Sequence, residues 1–147
     1  MTSFDVAAVT RETNPIVEGA FISKIYQIGT KTVLLKLRKP GNPRIQLLIE
    51  AGKRIHLTSY DHETPQRPSG FCMALRKYLD NGVILAVKQY DFERIATIEI
   101  NTREGVFQLV SEFFGNGNLI LVDPEQKILQ AMTYKRMKDR NLSLIHI

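Results

Sequence analysis

The chain has 147 residues with 44% hydrophobic content, which is enough for one domain with its own core and no need for disulfides. Its 20 Lys and Arg outnumber its 15 Asp and Glu to give a net charge of +5, which favours a polyanionic partner without identifying one. The single Cys72 excludes an intramolecular disulfide, and the sequence contains neither a membrane-spanning apolar run nor a signal peptide. We therefore predict a cytoplasmic protein with no membrane partner.

The first predicted element is a helix over residues 3–13. Thr2 or Ser3 would cap it, Asp5 lies in its first turn, and Pro15 is expected to end it. Short segments with period-two alternation follow, separated by turn residues, and such a series is typical of an antiparallel meander. These predicted strands are 20–28, 32–38, 44–50 and 54–57.

A second helix is predicted after a loop over residues 58–67. Ser69 is its expected cap, and Asn81 with the following glycine is expected to end it. At about 100° per residue, one side of this helix is apolar and the other carries Arg76 and Lys77. The apolar stripe consists of Phe71, Cys72, Leu75, Tyr78 and Leu79.

Further strands are predicted after the second helix, at 83–89, 94–100, 106–113, 118–122 and 127–132. The chain thus contains two runs of strands, each preceded by a helix. This order predicts an α+β fold in which two antiparallel β-sheets pack face to face with flanking helices.

Several segments along the chain carry a family resemblance. They are Phe4-Asp5-Val6, Lys24-Ile25-Tyr26-Gln27, Arg54-Ile55-His56-Leu57-Thr58, the helix at 68–79, Gln89 with Glu93-Arg94, and Gly117-Asn118-Leu119-Ile120-Leu121. Together they resemble the N-terminal domain of the NFACT family, the ribosome-associated quality-control factors that include the NEMF, RqcH and FbpA types. Within the family, the amino-acid sequence of these segments favours an archaeal or eukaryotic-like member. The resemblance implies a fold similar to the N-terminal domain of formamidopyrimidine-DNA glycosylases.

The resemblance also implies a function. Family members bind tRNA and the large ribosomal subunit that carries a stalled peptidyl-tRNA, and they recruit tRNA, alanine tRNA among them, for template-independent tailing of the nascent chain. Complete members continue into helix-hairpin-helix, coiled-coil and RNA-binding modules, so we expect a C-terminally truncated form. Residues 1–142 would be the N-terminal domain, incomplete at its C-terminus, and residues 143–147 a non-native tail.

By the same resemblance, Asp5, Glu93 and Arg94 match positions implicated in tRNA handling, with Glu93 in place of the usual Asp. A guanidinium can stack on an unpaired base and form two hydrogen bonds to phosphate, which suits Arg94. The alternative interpretation of Glu93 and Arg94 is a surface ion pair, and Asp5 could simply complement the helix dipole. Arg76 and Lys77 are further candidates for phosphate contacts, although such a pair is often only a solvated helix face.

A catalytic function is not visible in the sequence. The runner-up function, a DNA-repair glycosylase, would need a catalytic proline after the initiator Met, where this chain has Thr2 and Ser3. The histidines His56, His62 and His146 lack metal-ligand spacing. We therefore predict a non-catalytic RNA-binding domain with no cofactor, metal or small-molecule substrate. A cell-surface adhesin conflicts with the missing signal peptide.

Overall fold

The structure is a computed structural model that describes residues 1–59 and 67–132. The predicted tail at 143–147 and the histidines His62 and His146 lie outside these residues. The elements are α1 (Ser3–Val17), β1 (Phe21–Ile28), β2 (Thr32–Arg38), β3 (Ile45–Glu50), β4 (Arg54–Leu57), α2 (Gly70–Leu79), β5 (Val83–Gln89), β6 (Ile95–Thr102), β7 (Gly105–Glu112), β8 (Asn118–Val122) and β9 (Ile128–Ala131).

The nine strands form one antiparallel sheet in the order β4-β3-β2-β1-β5-β6-β7-β8-β9. The α+β class is confirmed, but the expectation of two sheets is wrong. The two predicted runs of strands are joined because β1 pairs with β5 at a single position, Phe21 opposite Val83. Around that position, Ile84 donates to the carbonyl of Ala20 at 2.8 Å and Ile22 donates to the carbonyl of Gly82 at 2.9 Å.

The sheet is strongly bent. The strand order separates β3 from β7 by five steps, which would be roughly 24 Å in a flat sheet. Nevertheless the N–H of Gly52, just after β3, donates to the carbonyl of Glu112 in β7 at 3.0 Å. The two halves of the sheet therefore face each other and share one hydrophobic core, in which residues of β2 and β3 pack with residues of β6 and β7.

Helix α1 begins at a capping box. Thr2 is the N-cap, its side chain accepts from the N–H of Asp5, and the carboxylate of Asp5 accepts from the N–H of Thr2. The expectation that Pro15 ends the helix is wrong, because α1 continues to Val17 with Pro15 in its last turn. A further turn is possible because the N–H of Glu18 still donates to the carbonyl of Asn14 at 2.9 Å.

Helix α2 matches its sequence prediction closely. Ser69 caps it by accepting from the N–H of Cys72 at 3.1 Å, and Asn81 after its end has the left-handed φ of 64°. Its predicted apolar stripe is confirmed, with Phe71, Cys72, Leu75 and Leu79 buried and Tyr78 packed against the same core. In the described part of the chain, neither helix is long and apolar enough to cross a membrane.

Candidate nucleic-acid interface

Asp5 lies at the exposed N-terminus of α1. Its Oδ2 accepts from the N–H of Thr2 at 2.9 Å, and its own N–H donates to the hydroxyl oxygen of Thr2 at 3.1 Å. The hydrogen bond from the Thr2 backbone, followed by the one from the Thr2 side chain, lowers the pKa of Asp5 below its ordinary value. The carboxylate is therefore a fixed negative charge at neutral pH, with a structural role in the cap.

The turn between β5 and β6 has an unusual backbone. The N–H of Glu93 donates to the carbonyl of Tyr90 at 2.7 Å, and the two residues between them, Asp91 and Phe92, have φ of 42° and 55°. Two successive left-handed residues define a type I′ turn, which normally selects glycine or asparagine. A phenylalanine is sterically unfavourable at such a position. Burial does not offset this cost, because Phe92 is 54% exposed.

The structure brings this turn to the start of α1. The side-chain amide of Gln89 donates to the carbonyl of Ser3 at 2.7 Å and to the carbonyl of Glu93 at 2.8 Å. The rings of Phe4 and Phe92 meet edge to face, with centroids 5.1 Å apart and an interplanar angle of 85°. We call the exposed residues Phe4, Asp5, Phe92, Glu93 and Arg94 the α1–turn surface.

Arg94 ends the turn with an exposed side chain. Its guanidinium carbon lies 5.9 Å from the ring centroid of Phe114, and its carbonyl accepts from the N–H of Phe113 at 2.9 Å. Among the described residues it forms no ion pair, with Glu93 or with any other carboxylate. The interpretation of Glu93 and Arg94 as a surface ion pair is therefore not supported, and the guanidinium lies by the ring of Phe114 without a carboxylate partner among the described residues.

Arg76 and Lys77 lie elsewhere. The Nε of the half-buried Arg76 donates to the carbonyl of Ile25 at 2.8 Å, while the ammonium of the exposed Lys77 lies 5.2 Å from the ring centroid of Tyr78. Neither contact involves α1 or the turn after β5. The predicted site residues thus fall into two groups, with Asp5, Glu93 and Arg94 together and the α2 pair apart.

Sequence reasoning missed three residues of this region. Gln89 was counted only as part of the family resemblance, although it joins α1 to the turn. Phe4 and Phe92 were not assigned any role. The available signal for Phe92 was an aromatic residue between charged residues in a predicted turn, because turn positions are dominated by Gly, Pro, Asn, Asp and Ser.

Comparison with known proteins gives the family. Residues 2–143 match the family model described as the NFACT N-terminal and middle domains. The chain is 33% identical over 147 aligned residues to the archaeal Rqc2 homologue aRqcH of Methanocaldococcus jannaschii. This alignment covers 97% of this chain and 22% of that protein. It is also 37% identical over 131 aligned residues to ribosome quality control complex subunit 2 of Saccharomyces cerevisiae. That alignment covers 88% of this chain and 12% of the yeast protein.

Solved structures agree with the sequence match. The N-terminal domain of the fibronectin-binding protein PavA from Streptococcus pneumoniae superposes with a TM-score of 0.82 at 30% identity, over 90% of this chain and 55% of that one. The N-terminal part of the fibronectin/fibrinogen-binding protein from Streptococcus suis superposes with a TM-score of 0.81 at 33% identity. This superposition covers 90% of this chain and 53% of that one. The similarity to glycosylases stays a prediction. Because the family model matches nearly the whole length of this chain, the chain belongs to the NFACT family.

Proposed function

We propose that this chain binds tRNA through the α1–turn surface and acts in ribosome-associated quality control. In this proposal it works on the large ribosomal subunit with its stalled peptidyl-tRNA, and it recruits tRNA, alanine tRNA among the candidate species, for template-independent tailing of the nascent chain. The relatives named as ribosome quality control subunits support the quality-control role. The chain spans only 12–22% of the length of these relatives, so it would contribute one contact of a larger protein.

One observation carries the assignment of the tRNA site to this surface. Gln89 holds the start of α1 and the turn after β5 together, so that Asp5, Glu93 and Arg94 lie on one exposed region although they come from distant parts of the sequence. Two exposed phenylalanine residues lie among these charges, and Phe4 is 73% and Phe92 54% exposed.

The side chains suit unpaired RNA bases. The exposed guanidinium of Arg94 can contact phosphate oxygens or stack on a base, and the rings of Phe4 and Phe92 offer apolar surface for stacking. The carboxylates of Asp5 and Glu93 can accept hydrogen bonds from base amino groups, which phosphate contacts alone could not discriminate. Sequence-specific RNA recognition uses this combination at loops where the bases are unstacked.

The experiment is a fluorescence anisotropy titration of labelled tRNA with the wild-type chain and the double variant Glu93→Ala/Arg94→Ala. The double variant keeps the net charge, so nonspecific attraction to RNA is unchanged. Asp5 is left in place because it caps α1. We expect roughly tenfold weaker binding, which corresponds to about 1.4 kcal/mol.

The matched control is Glu125→Ala/Lys127→Ala, which also removes one carboxylate and one cation from an exposed pair, 3.5 Å apart. It should bind tRNA like the wild type. If both double variants bind equally well while both remain folded by circular dichroism, the proposed surface is wrong. Repeating the titration with alanine tRNA and two other tRNAs tests the preferred species, and equal affinities would rule out a preference within this chain.

The role in tailing needs a complete protein. The two substitutions at the positions of Glu93 and Arg94, made in a full-length relative, should abolish tail synthesis on stalled large subunits. Co-sedimentation with the subunit, measured in parallel, separates loss of tRNA recruitment from loss of ribosome binding. Normal tailing by the variant would contradict the proposed role.

A further inference from the structure

A second feature lies at the junction of the two halves of the sheet. Beyond its single pairing with β5, β1 has no neighbouring strand on that edge within residues 1–59 and 67–132, and α2 packs against β1 there. The carbonyl of Ile25 accepts from the Nε of Arg76 at 2.8 Å and contacts the Sγ of Cys72 at 3.6 Å. Arg76 is thereby held at the junction with its terminal guanidinium nitrogens unused by this bond.

Three cationic side chains and the ring of Tyr26 lie next to this junction. The ring centroid of Tyr26 lies 5.4 Å from the guanidinium carbon of Arg76 and 5.2 Å from the ammonium of Lys36. Lys24 on β1 is directly opposite Lys36 on β2 in the antiparallel register. We call Lys24, Tyr26, Lys36 and Arg76 the Tyr26 cluster. Its members Lys24, Tyr26 and Arg76 border a cleft of about 290 Å³, which Ser23 and Asp80 also line.

The charges of the Tyr26 cluster are not neutralised within the described structure. None of Lys24, Lys36 and Arg76 forms an ion pair with a described residue. Among the residues that line the cleft, Asp80 supplies one negative charge against the two positive charges of Lys24 and Arg76, and Lys36 adds a third positive charge beside the ring of Tyr26. Like charges directly opposite each other on paired strands repel, so the Lys24 and Lys36 arrangement is unfavourable for folding. Binding of an anion would explain why the chain has this destabilising arrangement of charges, because functional sites often reduce stability.

We propose that the Tyr26 cluster is a second RNA contact, which binds the phosphodiester backbone and is separate from the α1–turn surface. The guanidinium of Arg76, fixed by its bond to Ile25, presents its remaining N–H donors to a phosphate oxygen. Lys24 and Lys36 neutralise the neighbouring phosphate charge as flexible point charges, and the hydroxyl of Tyr26 donates to phosphate or ribose. In this proposal the three cations contact phosphates, which carry no sequence information, so recognition by the Tyr26 cluster is independent of sequence.

This inference rests on the proposed RNA-binding function only in its choice of RNA as the polyanion. Net charge alone cannot account for it, because other lysines of the chain carry the same charge but have carboxylate partners. Lys53 lies 3.7 Å from a carboxylate oxygen of Glu50, and Lys127 lies 3.5 Å from one of Glu125. These two lysines provide a control with an identical change in charge.

The test compares Lys24→Gln/Lys36→Gln with Lys53→Gln/Lys127→Gln in the 147-residue chain. Each variant loses two positive charges and keeps a polar, unbranched stem at both positions, and Arg76 stays because it satisfies a backbone carbonyl. Anisotropy titrations use labelled tRNA and a single-stranded oligouridylate at several salt concentrations. We expect the Lys24/Lys36 variant to bind both RNAs roughly fivefold more weakly than the control, with a salt slope smaller by about one to two.

The thermal midpoint gives an independent readout. Removing the repulsion between Lys24 and Lys36 should leave the midpoint unchanged or raise it, so weaker RNA binding could not be ascribed to unfolding. Equal RNA affinities of the two lysine variants would overturn the Tyr26 cluster as a site. The Glu93→Ala/Arg94→Ala variant, titrated in the same series, decides the α1–turn surface separately, because either pair can lose RNA binding without the other.

Discussion

Phe4 and Phe92 meet edge to face with ring centroids 5.1 Å apart, although they belong to distant segments and are 73% and 54% exposed. Exposed aromatic pairs contribute little by burial, and Phe92 additionally has a left-handed φ of 55°. The contact therefore contributes little to the free energy of unfolding. It does give the α1–turn surface an apolar platform next to Asp5 and Arg94, which is what a stacking base requires.

The backbone strain at Phe92 can be measured with two substitutions. Phe92→Ala and Phe92→Gly both remove the ring, but only glycine accepts a φ of 55° without steric cost. We expect the glycine variant to be more stable than the alanine variant by about 1 kcal/mol in urea unfolding, and both to bind tRNA more weakly than wild type. An alanine variant as stable as the glycine variant would show that the turn relaxes and that position 92 stores no strain.

Gln89 should couple stability to RNA binding. Gln89→Ala removes the two hydrogen bonds to the carbonyls of Ser3 and Glu93, so we expect a loss of about 1 kcal/mol in the free energy of unfolding. It should also weaken tRNA binding, because the two halves of the α1–turn surface are no longer held together. Arg94→Ala is the comparison, with weaker tRNA binding and almost unchanged stability. Wild-type tRNA affinity of Gln89→Ala would mean that this bridge does not organise the site.

The bend of the sheet depends on a close approach of two glycines. A Cβ on Gly117 would lie 1.9 Å from the nitrogen of Gly52, and Gly117 has a φ of +75°. Gly117→Ala should therefore destabilise the chain by roughly 3–5 kcal/mol in urea unfolding, because backbone atoms on both sides would have to move.

Gly41 is the matched control for that substitution, since its φ is +77° but nothing lies within 4 Å of its missing Cβ. Gly41→Ala should cost only the conformational strain, about 1 kcal/mol. The difference between the two alanine variants measures the contact between the turn after β3 and the turn before β8. Similar losses for both would show that the contact does not contribute to closing the sheet.

Asp5 predicts a pH dependence of stability. The capping hydrogen bonds from Thr2 lower the pKa of Asp5 in the folded state, so folding favours the ionised carboxylate. The stabilisation is present above the unfolded-state pKa, near pH 4, and is lost as the pH falls through the lower folded-state value. Urea unfolding of wild type and Asp5→Ala between about pH 2.5 and pH 7 should show a stability difference that is constant above pH 4 and shrinks below it. A difference that grows with acid would contradict the capping role.

Local features of the chain were predictable from the sequence. Helix α2 follows from the Ser69 cap, the left-handed Asn81 and the spacing of Cys72, Leu75 and Leu79, all of which the structure contains. The strands follow from alternation and turn residues in the same way. Pro15 misled the prediction because its missing N–H does not prevent one more turn, in which the N–H of Glu18 donates to the carbonyl of Asn14.

Long-range relationships were not predictable. Nothing in the local pattern indicates that Phe21 pairs with Val83, and this one position turns two expected sheets into one. The grouping of Asp5, Glu93 and Arg94 came from the family resemblance. Their physical link through Gln89 required the structure, because a hydrogen bond to two backbone carbonyls has no sequence signature. The same holds for Tyr26, whose neighbours come from β2 and α2.

Site-specific photo-crosslinking tests the central claim most directly. Phe92 is replaced by the photoreactive benzoylphenylalanine, and the chain is irradiated with labelled tRNA. The control places the same residue at Val106, which is also exposed but lies at the far end of the β6–β7 hairpin, opposite Asn101. The account predicts a strong crosslink to tRNA from position 92 and little from position 106. A crosslink from position 106 with none from position 92 would show that tRNA binds elsewhere on this domain.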